Sequence, residues 1–287
     1  NRVMIDGAVS LALGDQTTDL TDATALVRAV KRIPPFNATE LDWERLEAEL
    51  RNGNANLAMA YAFWSAKRSR LETVARRHGA TSSLELAKIL QQSEPDFDPT
   101  LFFERLCVEG HPLHPGTKTK MGMSPRDVFR YAPEFDGMAE IRMVAIKRTH
   151  ALGSHPEACA DANALFLSHH PELLSPLDRE LADAGLSLDE VLIVPLHPWQ
   201  WDHTLFTLYA DEIAKGIIVP LPGIRLPFGS TASFRTLLPM SGRGGLALKV
   251  AVDSQMTSTV RSISPATALN APRFSALIRE ILAREPE

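Results

Sequence analysis

The sequence predicts an α+β protein, helical in its first third and strand-rich afterwards. Between residues 39 and 93 apolar residues recur at spacings near three, four and seven, the period of an amphipathic helix. From residue 139 onward, short apolar or alternating runs bounded by turn residues take over, as strands do. Pro171, Pro176, Pro195, Pro198, Pro220, Pro222, Pro227 and Pro239 punctuate that second half, which argues for short strands and shaped loops over long helices. A boundary near residue 100 then divides a mainly helical region, 1–100, from a mixed region, 101–287.

In the helical region Leu41, Leu46, Leu50, Leu57, Ala60, Tyr61 and Trp64 form the apolar stripe. Asn52-Gly53-Asn54 is expected to end one helix and His78-Gly79 the next. Taken alone, such a stripe reads as a packed helical subdomain without chemistry. Further on, residues 139–149, 190–196, 217–219, 232–238 and 245–252 are the strand candidates.

The chain has 287 residues, 45% of them hydrophobic, enough to bury an extensive core without a disulfide or metal staple. Its formal charge of −5 arises from 30 basic and 35 acidic residues with no block of like sign, which disfavours a nucleic-acid or membrane partner. Cys107 and Cys159 lie in no CxxC pair, compatible with a reducing cytoplasm. The N-terminal run lacks a signal-peptide core, and the absence of Met at position 1 points to an internal start.

Four segments could carry chemistry. Glu109 to Gly122 holds two His, two Lys, three Gly and two Pro, a composition that cannot form a regular helix. It reads either as a rigid loop holding an anion through backbone N–H groups and Lys118, or as a structural turn with capping histidines. His111 and His114 are three apart, but Pro112 prevents a helical HExxH site and nothing nearby completes a metal set. Val194 to His203 follows a strand; Trp199 and Trp201 read as core, and His197 and Gln200 as donors into a cleft. In Gly229 to Leu237, a strand over 232–238 would put Ser233 and Arg235 on one face, suited to a phosphate oxygen, and Phe234 on the other. In Leu246 to Asp253, Leu246, Leu248, Val250 and Val252 line one face and Lys249 the other, a mid-strand cation needing a ligand anion or Asp253 as partner. Thr257 and Arg261, four apart, would share a face. Walker A and GxGxxG sequences are absent, so a nucleotide site here is neither a P-loop nor a Rossmann site.

Together, EGHPLHPGTKTKMG, VPLHPWQW, STASFRTL and LKVAVDSQMTSTVR resemble, in order and separation, the NRPS-independent siderophore synthetases, the IucA/IucC family. The resemblance covers about residues 105–275. It implies a cupped, hand-like fold with a helical thumb, central fingers and a C-terminal palm, the last apparently missing. It also implies an enzyme that uses ATP and Mg²⁺ to activate a carboxylate, usually citrate, as an acyl-adenylate for capture by an amine, a hydroxylamine-bearing amine or an alcohol. By motif, Ser233, Arg235, Thr236, Lys249, His114 and Lys118 correspond to nucleotide ligands, Thr257 and Arg261 to carboxylate-substrate ligands, and Lys249, Arg235 and His111 to the catalytic groups. A protein-held metal is not expected, the expected location is the cytoplasm, and a homodimer is one expected assembly. A phosphotransferase using the same cations, or a non-catalytic fragment that binds nucleotide or carboxylate, are the alternative readings. With the palm absent, the isolated chain is expected to be inactive.

Overall fold

The structure, a computed structural model, describes residues 9–33, 39–111, 114, 116–153, 155, 157–240, 245–257 and 259–285. The N-terminal residues 1–8 read for a leader therefore lie outside the described residues, as do Pro112, Leu113, Pro115 and Ser258 of the motif segments. The chain divides into two interleaved compact units and not at a single cut near residue 100. One comprises residues 1–68, 108–128 and 254–259, the other 69–107, 129–253 and 260–287.

The first unit begins with an antiparallel hairpin, β1 (Val9–Leu13) and β2 (Gln16–Leu20). Asp22 then caps α1 (Ala23–Val30), accepting from the N–H groups of Thr24 and Ala25. Val27 of α1 packs with Trp43 and Leu50 of α2 (Glu40–His78) into the buried cluster of this unit.

Helix α2 corrects the expectation that Asn52-Gly53-Asn54 ends a helix, since it runs unbroken for 39 residues. The reason is tertiary. The Asn52 Oδ1 accepts from Lys120 N at 2.8 Å, and the Asn56 amide donates to Lys118 O at 2.9 Å and to Asn52 Oδ1 at 3.1 Å. Thr119 Oγ1 donates to the Glu49 carbonyl at 2.8 Å. The loop 118–120 lies on the helix so closely that a Cβ on Gly53 would stand 3.0 Å from Thr119 Oγ1. Residues of poor helix propensity are there to receive backbone, not to stop the helix. At the far end the expectation holds: α2 closes at His78, and Gly79 turns the chain at φ +69°. In the same unit β3 (Lys120–Met121) pairs antiparallel with the end of β9 (Val252–Met256), Lys120 facing Met256 and Met121 facing Gln255.

The second unit is built on a five-stranded sheet in the order β5-β4-β6-β7-β8. Its strands are β4 (Met138–Lys147), β5 (Val191–Leu196), β6 (Ile218–Ser230), β7 (Thr236–Pro239) and β8 (Leu248–Lys249). The strands foreseen over 139–149 and 190–196 appear as β4 and β5. Ile141, Met143, Ala145, Val191, Leu221, Phe228 and Leu237 are buried in this sheet. Edge strand β5 is held by buried Asn163 of α6 (Ala158–His169), whose amide donates to Val191 O and whose Oδ1 accepts from Ile193 N, each at 2.9 Å. Helices α4 (Pro99–Glu104) and α7 (Leu174–Asp183) pack on β6, and α3 (Ser83–Ser93) packs on α4; α5 (Pro125–Tyr131) spans the junction of the two units in the sequence.

The prolines 220, 222 and 227 do not shorten the strand that carries them: β6 runs 13 residues. It pairs with β4 on both sides of an irregularity, and among the described residues it pairs with β7 through Phe228–Ser230. Pro222, Gly223 and Ile224 form a bulge where the register against β4 shifts between Arg142 and Met143. The chain ends in a helix, Pro265–Arg284, with no buried residue. Among the described residues no helix is long and apolar enough to cross a membrane.

In an ordinary helix interior Gly→Ala adds about 1 kcal/mol of stability. Gly53→Ala is expected instead to lower stability, and Asn56→Ala to cost about 1–3 kcal/mol by orphaning the Lys118 carbonyl. Urea unfolding measures both; a stabilised Gly53→Ala variant would show that the loop does not dock at this point.

Candidate functional site

The predicted site residues fall in both units, and each group has its own geometry. In the second unit the segment Thr231–Arg235 corrects the expected strand over 232–238. It is a tight turn, and β7 begins only at Thr236. The turn is closed by Phe234 N donating to Thr231 O at 2.8 Å, and by Thr231 Oγ1 and N donating to Thr236 O at 2.8 and 3.2 Å. Ser233 therefore does not share a strand face with Arg235. Its hydroxyl oxygen accepts from Thr236 N at 3.0 Å and lies 3.1 Å from Thr231 Oγ1. Local side-chain bonding to backbone wins over strand alternation, as it does for serine and threonine in turns. Phe234 takes a left-handed φ of +67° and is buried, which a bulky residue adopts only when its surroundings impose it. From outside the turn, Glu104 at the end of α4 accepts from Ala232 N at 2.7 Å.

The turn leads into β7. Thr236 lies directly opposite Lys249 in the β7–β8 ladder, so both side chains project from one face of the sheet. Arg235 O accepts from Val250 N at 2.9 Å. The alternation foreseen for residues 246–253 holds: Leu248, Val250 and Val252 are buried, and Ala247, Lys249 and Asp253 are exposed. Lys249 is thus an exposed cation, not the deeply placed one that the strand pattern suggested. Asp253 is held elsewhere: its Oδ2 accepts from Thr204 Oγ1 at 3.3 Å and its N–H donates to Gln200 Oε1 at 2.8 Å. The break between β8 and β9 separates it from Lys249.

Arg235 donates through Nη1 to Ser262 O at 2.7 Å. That acceptor is a neutral carbonyl, so the bond orients the guanidinium without cancelling its charge. Arg261, at the end of β10 (Thr259–Arg261), is half-buried; burial and then the charge of Arg235 push its proton affinity below the usual arginine range. Arg235 and Arg261 are near enough to repel, and Thr236 faces Lys249 across the β7–β8 ladder.

His197 departs from the expectation of a donor into a cleft. It is fully buried, its ring against Phe234 at 5.8 Å and edge-on to Tyr131 at 4.9 Å. Its Nδ1 accepts from Trp199 N at 3.1 Å, capping the short helical turn Pro198–Gln200. Trp199 and Trp201 are buried, as their core reading requires, and Gln200 is engaged by Asp253 N.

In the first unit His111 is exposed and its N–H donates to Thr117 Oγ1 at 2.7 Å. His114 Nδ1 accepts from Gly116 N at 3.0 Å, so this ring caps its own loop as the structural reading of the segment supposed. Lys118 is buried, its carbonyl held by Asn56. Thr257 lies in the turn after β9 at φ +57°, and Arg261 closes the following strand. Helical or strand periodicity therefore does not relate the two, contrary to the shared face read from their spacing. Glu49, Arg45 and Gln255, which bond to one another beside Thr257, were not foreseen; side-chain contacts this far apart in the chain leave no local signal. Among the described residues no three His, Cys, Asp or Glu side chains gather as a metal site.

Comparison with known proteins follows the same segments. The family model described as IucA / IucC family matches residues 99–287. Staphyloferrin A synthase of Staphylococcus aureus is 29% identical over 85% of this chain and 41% of its own length. D-ornithine–citrate ligase of the same organism is 26% identical over 84% of this chain and 34% of its own. The ATP-bound aerobactin synthetase IucA of a hypervirulent Klebsiella pneumoniae pathotype has the same fold, with a TM-score of 0.65 at 18% identity, over 98% of this chain and 46% of that one. The chain thus spans less than half the length of these proteins.

Burial and the nearby Arg130 charge lower the pKa of His197 from 6.5 to about 3. The unfolded chain takes up this proton below pH 6.5 and the folded chain does not until about pH 3. The associated stability is therefore full above pH 6.5 and is lost as pH falls toward 3. His197→Asn keeps an acceptor for Trp199 N but does not titrate. Urea unfolding between pH 7 and 4 should give the parent the steeper loss, by up to about 1.4 kcal/mol per pH unit; equal slopes would refute the buried neutral imidazole.

Proposed function

The chain belongs to the IucA / IucC family, and on that premise we propose that it forms part of an ATP-dependent siderophore synthetase that activates a carboxylate as an acyl-adenylate. Its relatives are named as a synthase and a ligase, one of them for citrate, which makes citrate or a related acid the carboxylate of this reading. The observation that supports it is the juxtaposition of Thr236 and Lys249 in the β7–β8 ladder, with Ser233 bonded to Thr236 N and the charge of Arg235 acting on Arg261.

The chemistry explains why such cations are needed. A carboxylate oxygen attacks the α-phosphorus of ATP, the bond to the bridging oxygen breaks, and pyrophosphate leaves with the electron pair. An amine, hydroxylamine-bearing amine or alcohol then attacks the acyl carbon and expels AMP. The first step brings anions together and calls for fixed positive charge, with no protein nucleophile. Arg235 and Lys249 are assigned to charge at the phosphates, Ser233 and Thr236 to hydroxyl contacts, and, through the family motif, Thr257 and Arg261 each to the carboxylate substrate. His111, His114 and Lys118 are assigned to the same reaction through the family motif, with His111 the member whose side chain is exposed. Mg²⁺ is the ion this chemistry implies; the described residues form no cage for it, and no step is assigned to it. The location assigned is the cytoplasm.

In the full-length protein, Arg235→Ala and Lys249→Ala should each cost about 2–4 kcal/mol of transition-state stabilisation in carboxylate-dependent pyrophosphate release. A folded double variant with near-normal turnover would overturn the assignment, and ADP in place of AMP as product would move the chain to the phosphotransferases.

Arg261→Lys loses the planar fork that matches a carboxylate, so it should weaken citrate about tenfold more than ATP. Calorimetry with each ligand separately decides this, equal losses being the contrary result.

A further inference from the structure

Thr257 is a β-branched residue at φ +57°, a conformation such residues adopt only when held there. Two connections reach it from one residue of α2. Through its backbone, Glu49 accepts from Thr119 Oγ1 at 2.8 Å, and Thr119 O accepts from Thr257 N at 3.3 Å. Through its side chain, Glu49 Oε1 accepts from Gln255 Nε2 at 2.6 Å, and the same amide donates to Thr257 O at 3.4 Å. Arg45, one helical turn before Glu49, completes the arrangement: its Nε donates to Glu49 Oε1 at 2.9 Å and its Nη2 to Gln255 Oε1 at 3.0 Å. A cation on the amide oxygen and a carboxylate on the amide nitrogen fix which way the Gln255 amide faces. The N–H and the C=O of Thr257 are thus both tied back to Glu49.

We propose that Arg45, Glu49 and Gln255 are positioning residues that hold Thr257 in its left-handed conformation and thereby set affinity for the carboxylate substrate. The proposal rests on the reading of Thr257 as a ligand of that substrate. Helix α2 then does more than pack: it aims a residue of the substrate subsite through side chains that need not touch the substrate.

The test uses Gln255→Met, which keeps length and removes both the amide oxygen and the amide nitrogen, in the full-length protein. The KM for citrate should rise about tenfold, the loss expected for one or two hydrogen bonds, while the KM for ATP stays within about twofold. Hydrogen exchange at the Thr257 amide should quicken by about tenfold, with the Lys120 amide, bonded to Asn52 Oδ1, unchanged as an internal control. Asparagine tolerates the left-handed region better than threonine, so in a Thr257→Asn background Gln255→Met should quicken exchange at residue 257 by less than about threefold. Unaltered exchange at Thr257, or quickened exchange with an unaltered citrate KM, would overturn the proposal, as would an equal rise in both KM values. A parent protein without carboxylate-dependent turnover would sink the functional reading instead, and the exchange measurements alone would then decide whether the network holds Thr257.

Discussion

An irregular loop can lie against a helix only if its backbone groups find partners there, and this requirement governs the first unit. Residues 118–120 bring a carbonyl, an amide and a hydroxyl onto α2, and the helix answers with Asn56, Asn52 and the Glu49 carbonyl. Each buried group left unpaired would cost about 1–3 kcal/mol, more than the helix loses by accepting two asparagines and a glycine in its interior. The docked loop leads directly into β3, and β3 pairs with the end of β9, so the position of Thr257 follows from where the loop sits. The residues that look worst for a helix are those on which the rest of the unit depends.

The second unit solves a different problem, which is to hold like charges near one another. A turn closed by Thr231 and Ser233 sets the start of β7, and β7 sets Thr236 against Lys249. Beneath the turn, Phe234 sits at a left-handed φ against the fully buried His197. An imidazolium at that place would add charge under a cationic cluster; burial keeps the ring neutral, so it supports the turn as an aromatic surface. Outside, the Glu104 carboxylate fixes the Ala232 amide. The fold thus fixes the turn by aromatic packing, short-range hydroxyl bonds and one charge-assisted bond, and leaves Lys249 exposed for work.

How much of this could be read from the sequence depended on whether the cause was local. The strands β4 and β5 were legible because apolar β-branched runs such as Val191-Leu192-Ile193-Val194 suit a buried sheet with few alternatives. The alternation around Lys249 was legible because period two survives short breaks in a strand. Asn52-Gly53-Asn54 misled because propensity argues from the residue, whereas the deciding partner lies some sixty positions away. The prolines of β6 misled because a strand can continue through an irregularity such as the one that contains Pro222. Ser233 and Arg235 misled in the same way, since period two holds only once a strand has begun, and a serine that bonds its own turn delays that start. The motif residues were thus legible as chemical types, while their depth and facing were not.

The like-charge neighbourhood of Arg235 and Arg261 is the feature that a purely structural reading explains least. Burial and the charge of Arg235 both disfavour the charged form of Arg261. Structural cations can avoid that cost by pairing with carboxylates, as Arg28 does with Glu47 in the first unit. Arg235 instead donates to the Ser262 carbonyl, which fixes its direction and keeps its charge. On the proposed reading, an anion bound beside the two guanidinium groups would relieve repulsion as well as add contacts. Relief of that repulsion is a property that the proposed activation of one anion by another asks of its site.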